Sequence, residues 1–177
     1  MYKIRQIIYL VLAFSLLPEL GFAAQTCTTL AYRTTPTERF TNNGDETVTD
    51  KQTGLMWQHC LDGLSGTDCM SGTLKSYTWS EALQRAVNLN NSGGFANHLD
   101  WRLPNIKELM SLVETACTAV AINLEVFPNV YSGDWHAEWS STPYAGPMQA
   151  NFNSSAAFVL QFGPGSPRQY GKMDPQA

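Results

Sequence analysis

Residues 100–114 read DWRLPNIKELMSLVE, and their interpretation decides the fold. Leu103 is read as extended, because a following proline disfavours helical geometry in the residue before it. Asn105 then stands as a helix cap, with Glu108 three residues on to reach back, a capping box that satisfies two orphan N–H groups reciprocally. The helix that follows is expected to bury Ile106, Leu109, Met110 and Val113. Arg102 sits between Trp101 and Leu103, two residues of core character. It is read as a framework arginine, buried or half-buried, answered by an internal carboxylate and by carbonyls. Asp100 is its nearest local companion, although neighbours in an extended chain face opposite ways. The competing role is an anion clamp.

Working outward, residues 78–87 (TWSEALQRAV) carry the same signature earlier in the chain. Thr78 caps, Glu81 reaches back, and Trp79, Ala82, Leu83, Ala86 and Val87 recur at helical spacing as one apolar face. Gly93 or Gly94 ends this helix. Upstream, Asn43-Gly44-Asp45 signals a tight turn and Thr47-Val48-Thr49 a short strand. Asp50 to Gly54 forms a second turn, and Leu55-Met56-Trp57 the returning strand of a β-hairpin. A strand is expected around residues 138–141 and another over AAFVLQFG, residues 156–163, with a long aromatic loop region before them and a polar tail without a clear element after. Hairpin, helix, helix, loop and strands in that order predict an α+β domain.

The first residues are a leader. Lys3 and Arg5 precede an apolar run, Ile7 to Leu17, too short to span a bilayer, and Gly21-Phe22-Ala23 supplies small residues for cleavage. The expected division is a signal peptide over 1–23, cut after Ala23 with Ala24 second, a lead over 24–38 and a domain over 39–177. No membrane insertion is expected once the leader is cut. Removing the leader takes the net charge from −4 to about −5. A mildly acidic surface without basic runs argues against nucleic acid, whose binding needs basic groups to displace counterions.

Four cysteines in an exported chain point to two disulfides. Cys60 and Cys69 flank a glycine-rich polar loop that can bring its own ends together, so they are paired, leaving Cys27 with Cys117. Zinc is disfavoured because no CxxC or HxxxH pair is present.

RFTNNGDETVTDKQTGLMWQ, TWSEALQRAVNLN, DWRLPNIKELMSLVE, AINLEVFPN and WSSTPYA follow one another in an order that resembles the bacterial secreted family named for the C-terminal domain of the Legionella collagen-like adhesin. The resemblance spans roughly residues 39–162. It implies a C-type-lectin-like fold with two helices on a small twisted antiparallel sheet. It also implies a non-catalytic adhesion module that recognises a surface glycan or a cell-surface protein, exported to the periplasm, the cell surface or the medium. The adhesin is trimeric and binds sulfated polysaccharides, so a homo-oligomer is admitted. This chain departs from it in charge, with only Arg168 and Lys172 as basic residues after Lys107. It also departs at its end, where the family's closing strand is expected to be lacking.

No catalytic residue, metal site or cofactor is expected. The pairs His98-x-Asp100 and His136-x-Glu138 lack further ligands, and His59, His98 and His136 are read as surface histidines. There is no Gly-x-Ser-x-Gly nucleophile elbow, and the Glu-Pro-Asn type of calcium-lectin signature is absent. Tyr131, Trp135 and Tyr144 are the candidate ligand contacts, since exposed rings stack on sugars or anchor protein partners. Trp139 is assigned to the core. The alternatives are a structural subunit of a surface assembly that receives a neighbour's strand, or an enzyme on a lectin-like scaffold similar to the sulfatase-activating oxidases. The enzyme would require a free, reactive thiol.

Overall fold

The computed structural model describes residues 25–130, 137–144, 156–163 and 168–173. The expected leader lies outside the described residues. Ten short strands and two helices follow one another: β1 (Thr26–Cys27), a 3-10 turn (Thr37–Arg39), β2 (Phe40–Asn42), β3 (Thr47–Asp50), β4 (Met56–Gln58), β5 (Leu64–Ser65), β6 (Ser71–Gly72), α1 (Trp79–Asn91), α2 (Ile106–Met110), β7 (Cys117–Thr118), β8 (Glu138–Pro143), β9 (Ala156–Gln161) and β10 (Arg168–Met173). All pairings are antiparallel. They make two three-stranded sheets, in the orders β2-β3-β4 and β10-β9-β8, and two two-stranded ribbons, β1-β7 and β5-β6. The domain is mixed α+β, with small antiparallel sheets and two helices.

The hairpin forms where its turn residues demand it. Val48 faces Trp57 across β3 and β4. Gly54 takes a φ of 73° to close the turn, its N–H donating to the Asp50 carbonyl at 2.8 Å. A β-carbon is strained at such a φ, which makes glycine the natural choice. Asp50 has a second duty. Its fully buried carboxylate receives a fork from Arg39, Nε to Oδ1 at 2.7 Å and Nη2 to Oδ2 at 2.5 Å, while Gln52 N–H and the Thr53 hydroxyl also donate to it. Burial would raise its pKa, but the Arg39, Thr53 and Gln52 bonds outweigh burial and hold it down at about 2.

Both helix starts are capping boxes. Thr78 Oγ1 accepts from Glu81 N–H at 3.3 Å and Glu81 Oε2 accepts from Thr78 N–H at 2.8 Å. Asn105 and Glu108 repeat the exchange at 3.0 and 2.8 Å. After α1 the chain turns through Gly94, whose absent Cβ would lie 1.9 Å from the His98 carbonyl oxygen, so any side chain would collide with backbone.

The buried faces differ from the expected ones in detail. On α1, Ala82 is buried and Trp79, Ala86 and Leu89 are half-buried, but Leu83 and Val87 are exposed, at 36% and 49%. The helix is turned so that the 79-82-86-89 line packs inward. On α2, Ile106 and Leu109 are buried together with Val113 beyond it, whereas Met110, the last residue of the helix, is 47% exposed. The core joins these residues to Phe40, Val48, Leu112, Ile122, Phe127, Leu160 and Phe162. Leu160 and Val159, almost fully buried on β9, contribute about 1.5–3 kcal/mol each through the water their side chains leave.

The tail corrects a second expectation. Instead of an element-free segment, β10 pairs with β9 over six residues, Arg168 opposite Gln161 through Met173 opposite Ala156.

Both disulfides form with the pairing read from the sequence. Cys27 and Cys117 are opposite each other in the β1-β7 ribbon, so the bridge and the strand pair lock the same two segments. Glu114 reinforces this seam. Its carboxylate, almost wholly buried, accepts from the backbone N–H groups of Thr34, Thr35 and Ala116 and from the Thr35 hydroxyl. Burial pushes its pKa up, but the Ala116, Thr35 and Thr34 bonds prevail and hold it below the usual carboxylate range.

Candidate functional site

A cavity of about 740 Å³ lies between β4, the inner face of α1, the segment 98–104, α2 and the start of β8. That volume is within the ~300–1,000 Å³ range of small-molecule and cofactor sites. Its inner walls are core side chains such as Leu109, Leu112 and Phe127, and its sides carry Trp57, Tyr77, Trp101 and Trp139.

The aromatic residues are positioned by backbone bonds. Asn90 on α1 holds Trp101 in both directions, its Nδ2 donating to the Trp101 carbonyl at 2.8 Å and its Oδ1 accepting from the Trp101 N–H at 3.0 Å. The Trp101 indole N–H donates to the Phe95 carbonyl at 3.0 Å, and the ring meets Phe95 edge-on at 5.8 Å. The start of α1 and β8 are joined by a reciprocal pair: Trp79 Nε1 donates to Ser140 O and Trp139 Nε1 donates to Tyr77 O, each at 2.9 Å. β8 also holds the start of α2, through Ser141 N–H to Pro104 O at 2.8 Å and Ile106 N–H to Thr142 Oγ1 at 3.1 Å. Three of the walls are therefore tied to one another, which is how aromatic faces acquire fixed positions without a large sheet beneath them.

Trp57 differs from the other described tryptophans. Its Nε1 is buried and has no hydrogen-bond partner among the described residues, an expensive arrangement for a donor out of water.

Two of the cavity's carboxylates are matched by arginines. Asp62 accepts from Arg85 Nε at 2.9 Å, Arg85 Nη2 at 3.0 Å and the Tyr77 hydroxyl at 2.6 Å. Burial works against the Asp62 carboxylate, yet the Arg85 and Tyr77 bonds hold its pKa down, while burial and then the Asp62 bond push Tyr77 up. Glu108 accepts from Arg102 Nη1 and Nη2 at 2.7 Å each, and Arg102 is the main cause of its lowered pKa. Glu138, the half-buried first residue of β8, has no such match, and neither has the exposed Asp100. No described residue bonds the Glu138 carboxyl, and burial pushes it up to about 7.

Arg102 therefore has a carboxylate partner, but Glu108 rather than Asp100, and its side chain is 58% exposed rather than buried. The physical reason is the capping box. Glu108 is already turned back over the helix start, and that brings its carboxylate within reach of Arg102 six residues earlier. Asp100 is exposed and lines the same cavity. His59 is buried, not on the surface: its Nε2 lies 3.2 Å from the Thr67 carbonyl and its Nδ1 has no partner among the described residues. It lies close to Cys60 and Cys69, but both sulfurs are spent in their mutual bridge, so that cluster offers an imidazole and no thiolate. His98 is exposed and meets Trp101 edge-on at 6.3 Å.

Of the candidate ligand contacts, Tyr131 and Trp135 lie outside the described residues. Tyr144 is half-buried and packs edge-on against Phe158 at 5.3 Å, away from the cavity lining. Trp139 lines the cavity while packed in place by its indole bond. The sequence reading did not single out Trp57, Asp62 or Arg85 as site residues, and it weighed Glu138 only as half of the His136-x-Glu138 pair.

No helix among the described residues is long and apolar enough to cross a membrane, and the two disulfides fit an exported protein. Comparison with curated proteins and with solved structures gave no match. The family model for the Lcl C-terminal domain matches residues 46–177. It starts later than the resemblance read over residues 39–162 and takes in the tail that holds β10. The chain belongs to the Lcl C-terminal domain family, and is in that sense an adhesin-related module.

Proposed function

We propose that this chain is a non-catalytic, exported binding module of C-type-lectin-like architecture that recognises a surface glycan through the cavity between α1, α2 and β8. The observation that carries the reading is the set of aromatic side chains around that cavity, Trp57, Tyr77, Trp101 and Trp139, three of them on segments tied to α1 or β8 by hydrogen bonds. Aromatic faces at fixed positions stack on the C–H faces of sugar rings and lose little conformational entropy on binding. The salt-bridged Arg85–Asp62 and Arg102–Glu108 pairs offer polar edges for hydroxyl groups without a net field. Sulfated glycans do not suit a chain of net charge −4, since the counterion release that drives their binding needs clustered cations. An enzyme of the thiol-dependent kind is the weaker reading, because all four cysteines are bridged.

The test is a glycan array probed with the domain at low and high salt. Neutral or amine-bearing glycans retained at high salt are the expected result, and Trp101→Ala should abolish them. No bound glycan at either salt concentration would overturn the reading in favour of a protein partner. One observation favours the structural-subunit reading: among the described residues β10 pairs on one side only, with β9. An outer strand can accept a neighbour's strand. Light scattering of the domain across a concentration series tests that second reading, which requires an assembly rather than a monomer.

A further inference from the structure

Two features meet in the cavity. The first is Glu138, which lines it half-buried with no described cation or donor against its carboxyl, while Asp62 and Glu108 are each answered by an arginine and Asp100, also without a described partner, is exposed to water. The second is the aromatic surface of Trp101 and Trp139. We propose that the cavity selects glycans that carry a free, unacetylated amine, with the ammonium group against Glu138. The proposal rests on the glycan reading above and names its ligand class.

Each feature specifies part of that ligand. An unpaired carboxylate inside apolar walls is costly, and a cation brought by the ligand removes the cost. Aromatic faces around it favour the same charge through their quadrupoles. The raised affinity of the Glu138 carboxyl for a proton fits a group poised to trade that proton for an ammonium. A sulfate or carboxylate in the same place would face Glu138 with like charge, so the cavity discriminates against acidic glycans by repulsion as well as by lack of attraction.

The experiment is calorimetric titration at pH 7 of the domain, its Glu138→Gln variant and its Trp101→Ala variant. The probes are a glucosamine tetramer, its fully N-acetylated counterpart and phenethylamine. Expected is a preference of roughly tenfold or more for the glucosamine tetramer over the acetylated one, as a desolvated charge pair provides. Glu138→Gln should erase that preference, with Trp emission and cooperative unfolding retained. Trp101→Ala should weaken both sugars. Equal binding of the two tetramers, unaltered by Glu138→Gln, would overturn the inference and leave the glycan reading standing. Absence of binding by either tetramer would overturn both. Phenethylamine binding as tightly as the glucosamine tetramer, with the same dependence on Glu138, would also overturn the inference, since the cavity would then take amines without reading the sugar.

Discussion

Replacing Glu138 by Gln should make the protein more stable at neutral and alkaline pH, and the size of the gain follows from its surroundings. The Glu138 carboxyl rises from the ordinary 4.5 to about 7 because burial disfavours its ionised form and no described residue compensates. A raised carboxyl pKa means that the folded state holds its proton more tightly than the unfolded chain does. Its contribution to stability is therefore intact below pH 4.5, declines as the pH climbs from there to about 7, and stays at its minimum above. At about 1.36 kcal/mol per pKa unit, the full penalty at pH 8 is roughly 3 kcal/mol. Water in the cavity reduces this to about 2–3 kcal/mol, which for a chain of this size is a rise in Tm of roughly 5–10 °C. Gln is isosteric and never ionises, so the variant should match the parent at pH 4 and separate from it progressively. Urea unfolding at pH 4, 6 and 8, followed by tryptophan emission with disulfides intact, reads this directly. Parallel stabilities at all three values, or a variant that is weaker at pH 8, would refute the reasoning, because either requires that Glu138 be solvated or paired.

Arg39→Leu leaves the Asp50 carboxylate buried without its main partner and should cost about 3–5 kcal/mol in denaturant unfolding. Because Asp50 is held at about 2, the parent keeps this contribution above pH 3.8 and loses it only as the pH falls through 2, a profile the variant should lack. Arg102→Gln should change stability by less than about 1 kcal/mol, since that pair is largely exposed and Glu108 keeps its backbone bond to Asn105; a loss of several kcal/mol would restore a deep framework role. Converting Cys27 and Cys117 together to Ser opens a loop of sequence separation 90 and should lower stability by about 4–5 kcal/mol on the chain-entropy estimate, measured as a shift of the urea midpoint.

What was legible in the sequence is what depends on near neighbours. Thr78 with Glu81, Asn105 with Glu108, and Asp50 with Gly54 all act within three or four residues, so the side chain and the backbone group it serves are written together. The Cys60–Cys69 bridge belongs to the same class, and its recognition left Cys27 and Cys117 to pair. The same turn and capping signals gave the order of hairpin, helices and strands, and the family resemblance added the expected lectin-like arrangement. The rest was hidden for definite reasons. Helical periodicity places Leu83 and Val87 near Ala82 on α1, but only packing decides by how many degrees the helix is turned, and those two fall outside the contact. For Arg102 the sequence offers Asp100 only as the nearest local companion and leaves the partner open, whereas the capping box folds Glu108 back toward it. Glu114 serves Thr34 and Thr35 some 80 positions away, and Trp79 donates to Ser140 across a separation of 61; no local pattern encodes either. The strand β10 was missed because an outer strand carries no apolar alternation strong enough to stand out from a polar tail.

The bridge between Cys27 and Cys117 also determines how the molecule would carry a mechanical load. A pull on the two ends of the chain passes from Cys27 straight to Cys117, so residues 28–116, with both helices and the hairpin, are bypassed by the force. About 300 Å of extended chain is thereby withheld from stretching. Only the part beyond Cys117 can unravel, and it includes β8, whose Glu138 and Trp139 line the cavity. A tether under strain would release its ligand by losing that wall first, while the rest of the domain stayed folded and ready to close again when the tension fell.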